Sequence, residues 1–255
     1  MKRFVLRLFC GLLVLALPIG VFELLGLISG EKESKGDILS ALVSVYGTEG
    51  DEECYKAFAV ILNTLKERGE FSPSKEEGYL WSETGGDAEW IEEVISSVEG
   101  QVLLYENKPI LAAFHQSSGG STLSYKSVFG EEVPYLLPVE SDSVTERQTL
   151  SKTHLMELYG VSDGFSVVSD GEKVKEIMAG EKIIPADDFR RQCGIYSTVF
   201  ELREKEEEYE VLSKGIGHQV GFSVTGAEEL AGEGKSYEEI LKHYYSGVSI
   251  GKALK

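Results

Sequence analysis

Gln101-Val-Leu-Leu-Tyr-Glu-Asn-Lys-Pro-Ile-Leu-Ala-Ala-Phe-His115 is the stretch on which the fold turns. Two apolar runs, 101–105 and 109–115, flank the turn residues Glu106-Asn-Lys108, the pattern of a β-hairpin. Upstream of it the apolar spacing is helical. Asp51 is placed to cap a helix whose Cys54, Ala57, Phe58, Ile61, Leu62 and Leu65 recur every three or four residues, making one apolar face. A break at Gly47-Thr-Glu-Gly50 precedes this helix, and earlier helical spacing begins at Asp37. Phe71–Asp87 is a polar, Gly/Ser-rich loop, and Trp90–Val98 has the spacing of a short amphipathic helix.

Downstream, Gln116–Ser124 is a loop of Ser, Gly and Thr. Short strands are predicted near Ser166–Val168, Lys173–Met178, Val199–Leu202 and Tyr209–Leu212. Helices are predicted over Ala227–Gly232 and Ser236–Tyr245. Ser236 serves as N-cap of the second, Glu239 as its capping-box partner, and Gly247 lies just past its end. The predicted class is α+β, one mixed domain over residues 37–255 with short antiparallel strands.

The first thirty residues differ in kind. Lys2, Arg3 and Arg7 precede an apolar run, and Leu8–Ser29 is long enough as a helix to cross a bilayer core of ~30 Å. No small-x-small cleavage site follows, so residues 1–30 are expected to be a retained anchor rather than a cleaved signal peptide. The basic start places the N-terminus in the cytoplasm and the rest outside, as a single-pass membrane protein. The linker 31–36 reaches only ~20 Å when extended, which keeps the domain close to the membrane.

Without Lys2, Arg3, Arg7 and Glu23, the remainder has 22 Lys and Arg against 42 Asp and Glu, a net charge of −20. Such a surface repels nucleic acid, which excludes that partner class. Of the three cysteines, Cys10 falls in the apolar run. Cys54 and Cys193 are left, too few for a disulfide framework and without zinc-ligand spacing; whether they pair is open.

Two of the four histidines stand beside glycines. His115 opens Gln116-Ser-Ser-Gly-Gly120, and His218 lies in Gly215-Ile-Gly-His-Gln-Val-Gly221. His154 and His243 fall in helical patterns. Glycines admit a ligand to the backbone, so the first pair marks a candidate cleft, though a polar loop with a hydrogen-bonded histidine fits equally. Ser117 or Ser118 with His218 is a conceivable nucleophile pair, but no G-x-S-x-G elbow surrounds either serine. A metal site from His115, His218 and a carboxylate lacks any H-x-x-x-H spacing.

These segments together resemble the stage II sporulation protein D family. Gly215-Ile-Gly-His-Gln-Val-Gly-Phe-Ser-Val-Thr-Gly-Ala227 is similar to its G-H-G-V-G-M-S-Q-x-G-A signature. Residues 231–247 resemble its tail ending in Y-Y-x-G, and His115-Gln-Ser-Ser-Gly-Gly120 its H-S-T-S-G-G loop. Gly100–Ile110, Pro134-Tyr-Leu, Phe189-Arg190 and Gly194-Ile-Tyr-Ser-Thr198 follow in the expected order, and the resemblance spans residues 37–251. It implies a lytic transglycosylase that cuts peptidoglycan glycan strands, stripped of peptides by an amidase, during engulfment in sporulation. In the family the essential acid lies in a helix reading E-A-L-K-A-Q-A-V-A-A-R-T. Glu53-Cys-Tyr-Lys-Ala-Phe-Ala-Val-Ile-Leu-Asn-Thr64 stands in that place, so the resemblance makes Glu53 the catalytic residue.

By the same resemblance, His115, Ser117, Ser118, Gly119, Gly120, Arg190, His218, Gln219 and Tyr244 are expected to bind substrate. Stage II sporulation proteins P (the amidase) and M are the expected partners. No cofactor is implied. Some relatives bind zinc after the helix, but Phe71–Trp81 contains neither His nor Cys, so no metal is expected. The chain departs from the family at Val45-Tyr46-Gly47, where an acid is usual, and at Asn63, Gln219, Phe222 and Val224. Two other readings therefore stand beside the enzyme, a non-catalytic glycan binder and an amidase-enhancing homologue.

Overall fold

A computed structural model describes residues 38, 41, 42, 45–47, 50–70, 89–162 and 164–252. The expected anchor, the linker and the segment 71–88 lie outside these residues. Among the described residues no helix is long and apolar enough to cross a membrane. The class is α+β, as expected, and the chain forms two compact units. The first runs to Phe114 and resumes at Val224; the second is His115–Ser223.

In the first unit, helix α1 (Glu52–Glu67) is central. Asp51 caps it by accepting the Glu53 N–H, Glu52 and Glu53 occupy its first turn and Lys66 its last, in agreement with the helix dipole. Burial extends well beyond the single face expected: Cys54, Tyr55, Ala57 through Leu62 and Thr64 are all buried. Such a helix is wrapped on most sides. Helix α2 (Glu89–Ser97), strand β1 (Gln101–Tyr105), and helices α6 (Val224–Gly232) and α7 (Tyr237–Tyr244) pack on it. Phe58 meets Phe114 edge-on at 4.9 Å and Tyr55 meets Trp90 at 5.1 Å. The Tyr55 hydroxyl donates to Gly47 O and accepts the Gly50 N–H, tying down the turn that precedes the helix.

The predicted hairpin is real but shorter. β1 pairs with β2 (Lys108–Pro109) through a tight turn in which Glu106 and Asn107 have φ of 49° and 61°, the left-handed pair that a two-residue hairpin requires. Beyond Ile110 the second run leaves the ladder, although Ile110, Ala112 and Ala113 are buried. β13 (Ser249–Lys252) takes the other edge of β1 instead, with Leu103 opposite Ile250.

Thr64 joins helix to sheet: its hydroxyl donates to Val60 O at 2.6 Å and accepts the Leu103 N–H at 2.9 Å. Thr64→Val keeps the shape and orphans a buried amide, so it should lower stability by about 1–3 kcal/mol. The urea midpoint should fall with an unchanged slope.

The second unit holds β4 (Gly119–Ser121) paired with β5 (Glu140–Ser143), helix α3 (Tyr125–Phe129), and two three-stranded antiparallel sheets. One has β6 (Thr145–Ser151) and β10 (Phe200–Glu204) on either side of β11 (Glu208–Lys214). The other runs β7 (Phe165–Ser169), β8 (Val174–Ala179), β9 (Lys182–Pro185). Helices α4 (Lys152–Tyr159) and α5 (Ala186–Cys193) complete it. Its core gathers Leu155, Phe165, Ile177, Phe189, Tyr209 and Val211, and the Tyr209 hydroxyl accepts the Phe165 N–H at 2.9 Å. β3 (Phe114–His115) pairs with β12 (Phe222–Ser223). Cys54 and Cys193 are both free thiols, each pushed up from its ordinary range by burial.

Candidate functional site

Glu53 stands second in α1, where Asp51 fixes its backbone. Its carboxylate is engaged on both oxygens. Lys56 Nζ donates to Oε1 at 2.8 Å, and the Tyr237 N–H donates to Oε2 at 2.6 Å. Tyr237 is the first residue of α7, so Glu53 lies at the start of one helix and caps the start of another. Both helix ends carry partial positive charge, which favours a carboxylate between them. Lys56 also reaches Glu52 at 2.7 Å. The hydrogen bonds to Glu52 and then Glu53 hold its ammonium above the ordinary lysine range. The side chain of Glu53 remains 28% exposed. The carboxylate is thus held by two donors while one side stays open to solvent. The i, i+3 and i, i+4 spacing of Lys56 from Glu53 and Glu52 was the sequence signal for its role. Tyr237 gave no such signal.

Tyr244, the other candidate in the first unit, is a core residue, buried on α7 with Ile240 and Leu241. The remaining candidates belong to the second unit, where the two histidine loops interlock. Ser117 and Ile216 exchange backbone hydrogen bonds at 3.3 and 2.8 Å. A Cβ on Gly215, at φ 71°, would lie 2.6 Å from Ser117 O, and one on Gly217, at φ 102°, 3.1 Å from the His115 Cβ. These glycines therefore serve loop-on-loop packing.

His115 is completely buried. Its Nδ1 faces Val220 O at 3.3 Å, an acceptor only, so Nδ1 carries the proton and Nε2 accepts from the Ser118 hydroxyl at 2.8 Å. Burial, and then the nearby His218, hold its pKa well below the usual histidine value. Ser118 is thus paired with His115 rather than with His218, and both members are sealed from solvent. A nucleophile there would not meet substrate. The Ser118 N–H donates to Asp142 Oδ2 at 2.9 Å, and the Ser223 and Ser141 hydroxyls donate to Oδ1 at 2.6 and 2.9 Å. Asp142, buried without a motif to mark it, is the hub that sequence reasoning missed.

Gln219 adopts φ 60°, the backbone region that the family's glycine at this position would enter freely. Its side chain is fully taken up inside the protein. Oε1 accepts the Gly119 N–H at 3.0 Å, and Nε2 donates to Ser197 Oγ at 2.7 Å and Lys214 O at 2.8 Å. The residue braces three loops. Arg190, half-buried, turns back on its own helix end, with Nη1 donating to Ile195 O at 3.5 Å and Nε 3.6 Å from Asp187. Burial lowers its pKa, which Asp187 partly offsets.

His218, Gly119, Gly120 and Arg190 are the candidates of this unit that remain partly open to solvent. His218 Nδ1 accepts the Val220 N–H at 3.0 Å, which places its proton on Nε2. The ring lies 5.9 Å from His115 and 5.6 Å from Phe129. Among the described residues no group of three or more His, Cys, Asp or Glu is placed to hold a metal ion.

No family model matches the chain. It is 32% identical over 176 residues to stage II sporulation protein D of Bacillus subtilis (strain 168), an alignment covering 64% of this chain and 51% of that protein. It is 30% identical over 200 residues to the protein of that name from Bacillus amyloliquefaciens, covering 72% and 58%. A weaker likeness, 24% over 240 residues, is to the protein named amidase enhancer from Bacillus subtilis (strain 168), covering 68% and 33%. The chain thus spans about half the length of the stage II sporulation proteins D that it matches. Over the part it shares with them, the chain is a divergent relative of stage II sporulation protein D.

Proposed function

We propose that this chain acts on the cell wall during sporulation as a lytic transglycosylase, with Glu53 as its acid and base. The observation that carries the proposal is the Glu53 carboxylate, fixed by two donors between two helix starts yet open to solvent. In the protonated form it would give its proton to the glycosidic oxygen as the C1–O bond breaks and positive charge develops on the sugar. As the carboxylate it would then take the proton of the muramic C6 hydroxyl, whose oxygen closes on C1. The product is a 1,6-anhydro ring, no water is consumed, and one carboxyl serves both steps, unlike the paired carboxylates of glycoside hydrolases. Lys56 already bridges to Glu52, so it can stay paired while Glu53 carries a proton.

The negative surface favours glycan from which the stem peptides, with their carboxylates, have been removed. Stage II sporulation proteins P and M are the proposed partners. Residues 1–30 are the proposed anchor, with the remainder outside the cytoplasm. Digestion of peptide-free glycan strands, followed by mass spectrometry, should yield 1,6-anhydromuramic products. If no such product forms, the enzyme reading is lost.

A second reading, glycan binding or amidase enhancement without cleavage, is favoured by the likeness to the amidase enhancer. The internal engagement of His115, Ser118 and Gln219 points the same way. Glycan pull-down without product would support it.

A further inference from the structure

A carboxyl that gives a proton and then takes one alternates between two forms, and its neighbours must tolerate both. Around Glu53 they divide unequally. The donor on Oε2 is fixed: the Tyr237 N–H is the first amide of α7, and the Tyr237 hydroxyl donates to Gln101 Oε1 at 3.1 Å. The donor on Oε1 is not. Lys56 Nζ lies 2.8 Å from Glu53 Oε1 and 2.7 Å from Glu52 Oε1, at the end of a flexible four-carbon stem. A proton on Oε2 would set an O–H against the Tyr237 amide, so the proton belongs on Oε1. There it confronts the ammonium, donor against donor, unless Lys56 turns wholly to Glu52.

The other titratable groups at this end of the unit do not offer Lys56 that alternative. On α1, Asp51 accepts the Glu53 N–H, and the Cys54 thiol is kept neutral by burial. On α7, Glu238 adjoins Tyr237, and on α6 Glu228 acts with Asp51 and Glu53 on Cys54. Among the described residues, the carboxylates that reach Lys56 are Glu52 and Glu53. The Glu52 side chain is 58% exposed, and an exposed i, i+4 pair adds little to stability. Its place one residue before Glu53 therefore matters for charge more than for holding the helix.

We propose that Glu52 is a positioning residue for the Glu53 proton: it draws the Lys56 ammonium aside, so that Oε1 carries the proton while Oε2 keeps the Tyr237 amide. This rests on Glu53 being the acid and base, and the test separates the two claims. The full chain is labelled with carbon-13 at its glutamate carboxyls, and the Glu53 resonance is the one missing from Glu53→Gln. Its titration midpoint is read by NMR beside the pH profile of glycan cleavage. Glu52→Gln leaves Lys56 to Glu53 alone and should move the midpoint, and with it the alkaline limb of cleavage, down by about half a pH unit. Lys56→Met should move both up by about one unit. In the Lys56→Met background, Glu52→Gln should move the midpoint by less, because only direct repulsion between the two carboxylates remains. Equal displacement in both backgrounds, or none by Glu52→Gln alone, would overturn the positioning role and leave the enzyme reading standing. A Glu52 that merely braces the helix would lower the thermal midpoint when replaced and leave both titrations where they stand. Midpoints that move as expected in a chain forming no product at any pH would uphold the proton geometry and overturn the enzyme reading.

Discussion

Glu53→Gln should cut the yield of 1,6-anhydromuramic product by about 10²- to 10⁴-fold, the usual worth of a general acid–base, with little change in thermal midpoint. The amide is close in shape to the carboxylate, and its oxygen can still accept the Tyr237 N–H. Lys56 keeps Glu52 as a partner at 2.7 Å. What the amide cannot do is carry a proton to one oxygen and take it from another. Glu53→Ala should lose activity to the same extent and stability as well. It removes the acceptor of the first amide of α7, at a cost of about 1 kcal/mol. The loss stays moderate because α7 keeps its own capping box, in which Glu239 Oε2 accepts the Ser236 N–H at 3.0 Å. The pair of variants separates the two roles of this residue. If Glu53→Gln cleaves as wild type does and only Glu53→Ala is impaired, Glu53 is a brace between helices and the acid must be sought elsewhere.

Helices α1 and α7 were legible because local chemistry marks their ends. Asp51 accepts a first-turn amide, and Ser236 with Glu239 forms the expected reciprocal box. Strands β7, β8, β10 and β11 were legible from their apolar residues, whereas β5, β6 and β9 were not. β6, Thr145-Glu-Arg-Gln-Thr-Leu-Ser151, has one aliphatic residue, and its place is set by pairing with β11, whose Tyr209 and Val211 supply the buried contacts. The run 109–115 shows the opposite error. A buried apolar stretch has the same appearance whether or not a neighbouring strand takes its hydrogen bonds, and between Ile110 and Ala113 none does; pairing resumes only at β3.

The candidate site divides in the same way. Glycines beside His115 and His218 correctly signalled close backbone approach, but what approaches is the other loop. Gln219, a candidate for substrate, braces three loops instead, because only the folded chain shows where its amide ends. Asp142, in a sequence as plain as Ser141-Asp-Ser143, carries Ser118 and Ser223. Polar residues whose partners lie 24 and 81 positions away in the chain leave no spacing to read.

The stability of the chain should fall as pH drops from 7 to 5.5, and His115 should be the main source. In the folded chain its pKa lies well below the ordinary value, whereas in the unfolded chain it returns to about 6.5. Below that pH the unfolded state binds a proton that the folded state refuses. Folding is therefore penalised by up to about 1.4 kcal/mol for each further pH unit, and nothing is lost above pH 7. The refusal has a structural cause. Both ring nitrogens are committed, Nδ1–H to Val220 O and Nε2 to the Ser118 hydroxyl, and a second proton would set an N–H against Ser118 beside His218 with no water at hand. His115→Asn, whose amide can still donate toward Val220 O, should be less stable than wild type at pH 7 but show a flatter profile down to pH 5.5. Urea midpoints across that range decide it. A wild-type midpoint that does not move, or a slope that survives in His115→Asn, would remove His115 as the cause. Carboxylates take over only at lower pH, and the comparison with His115→Asn separates His115 from the other three histidines.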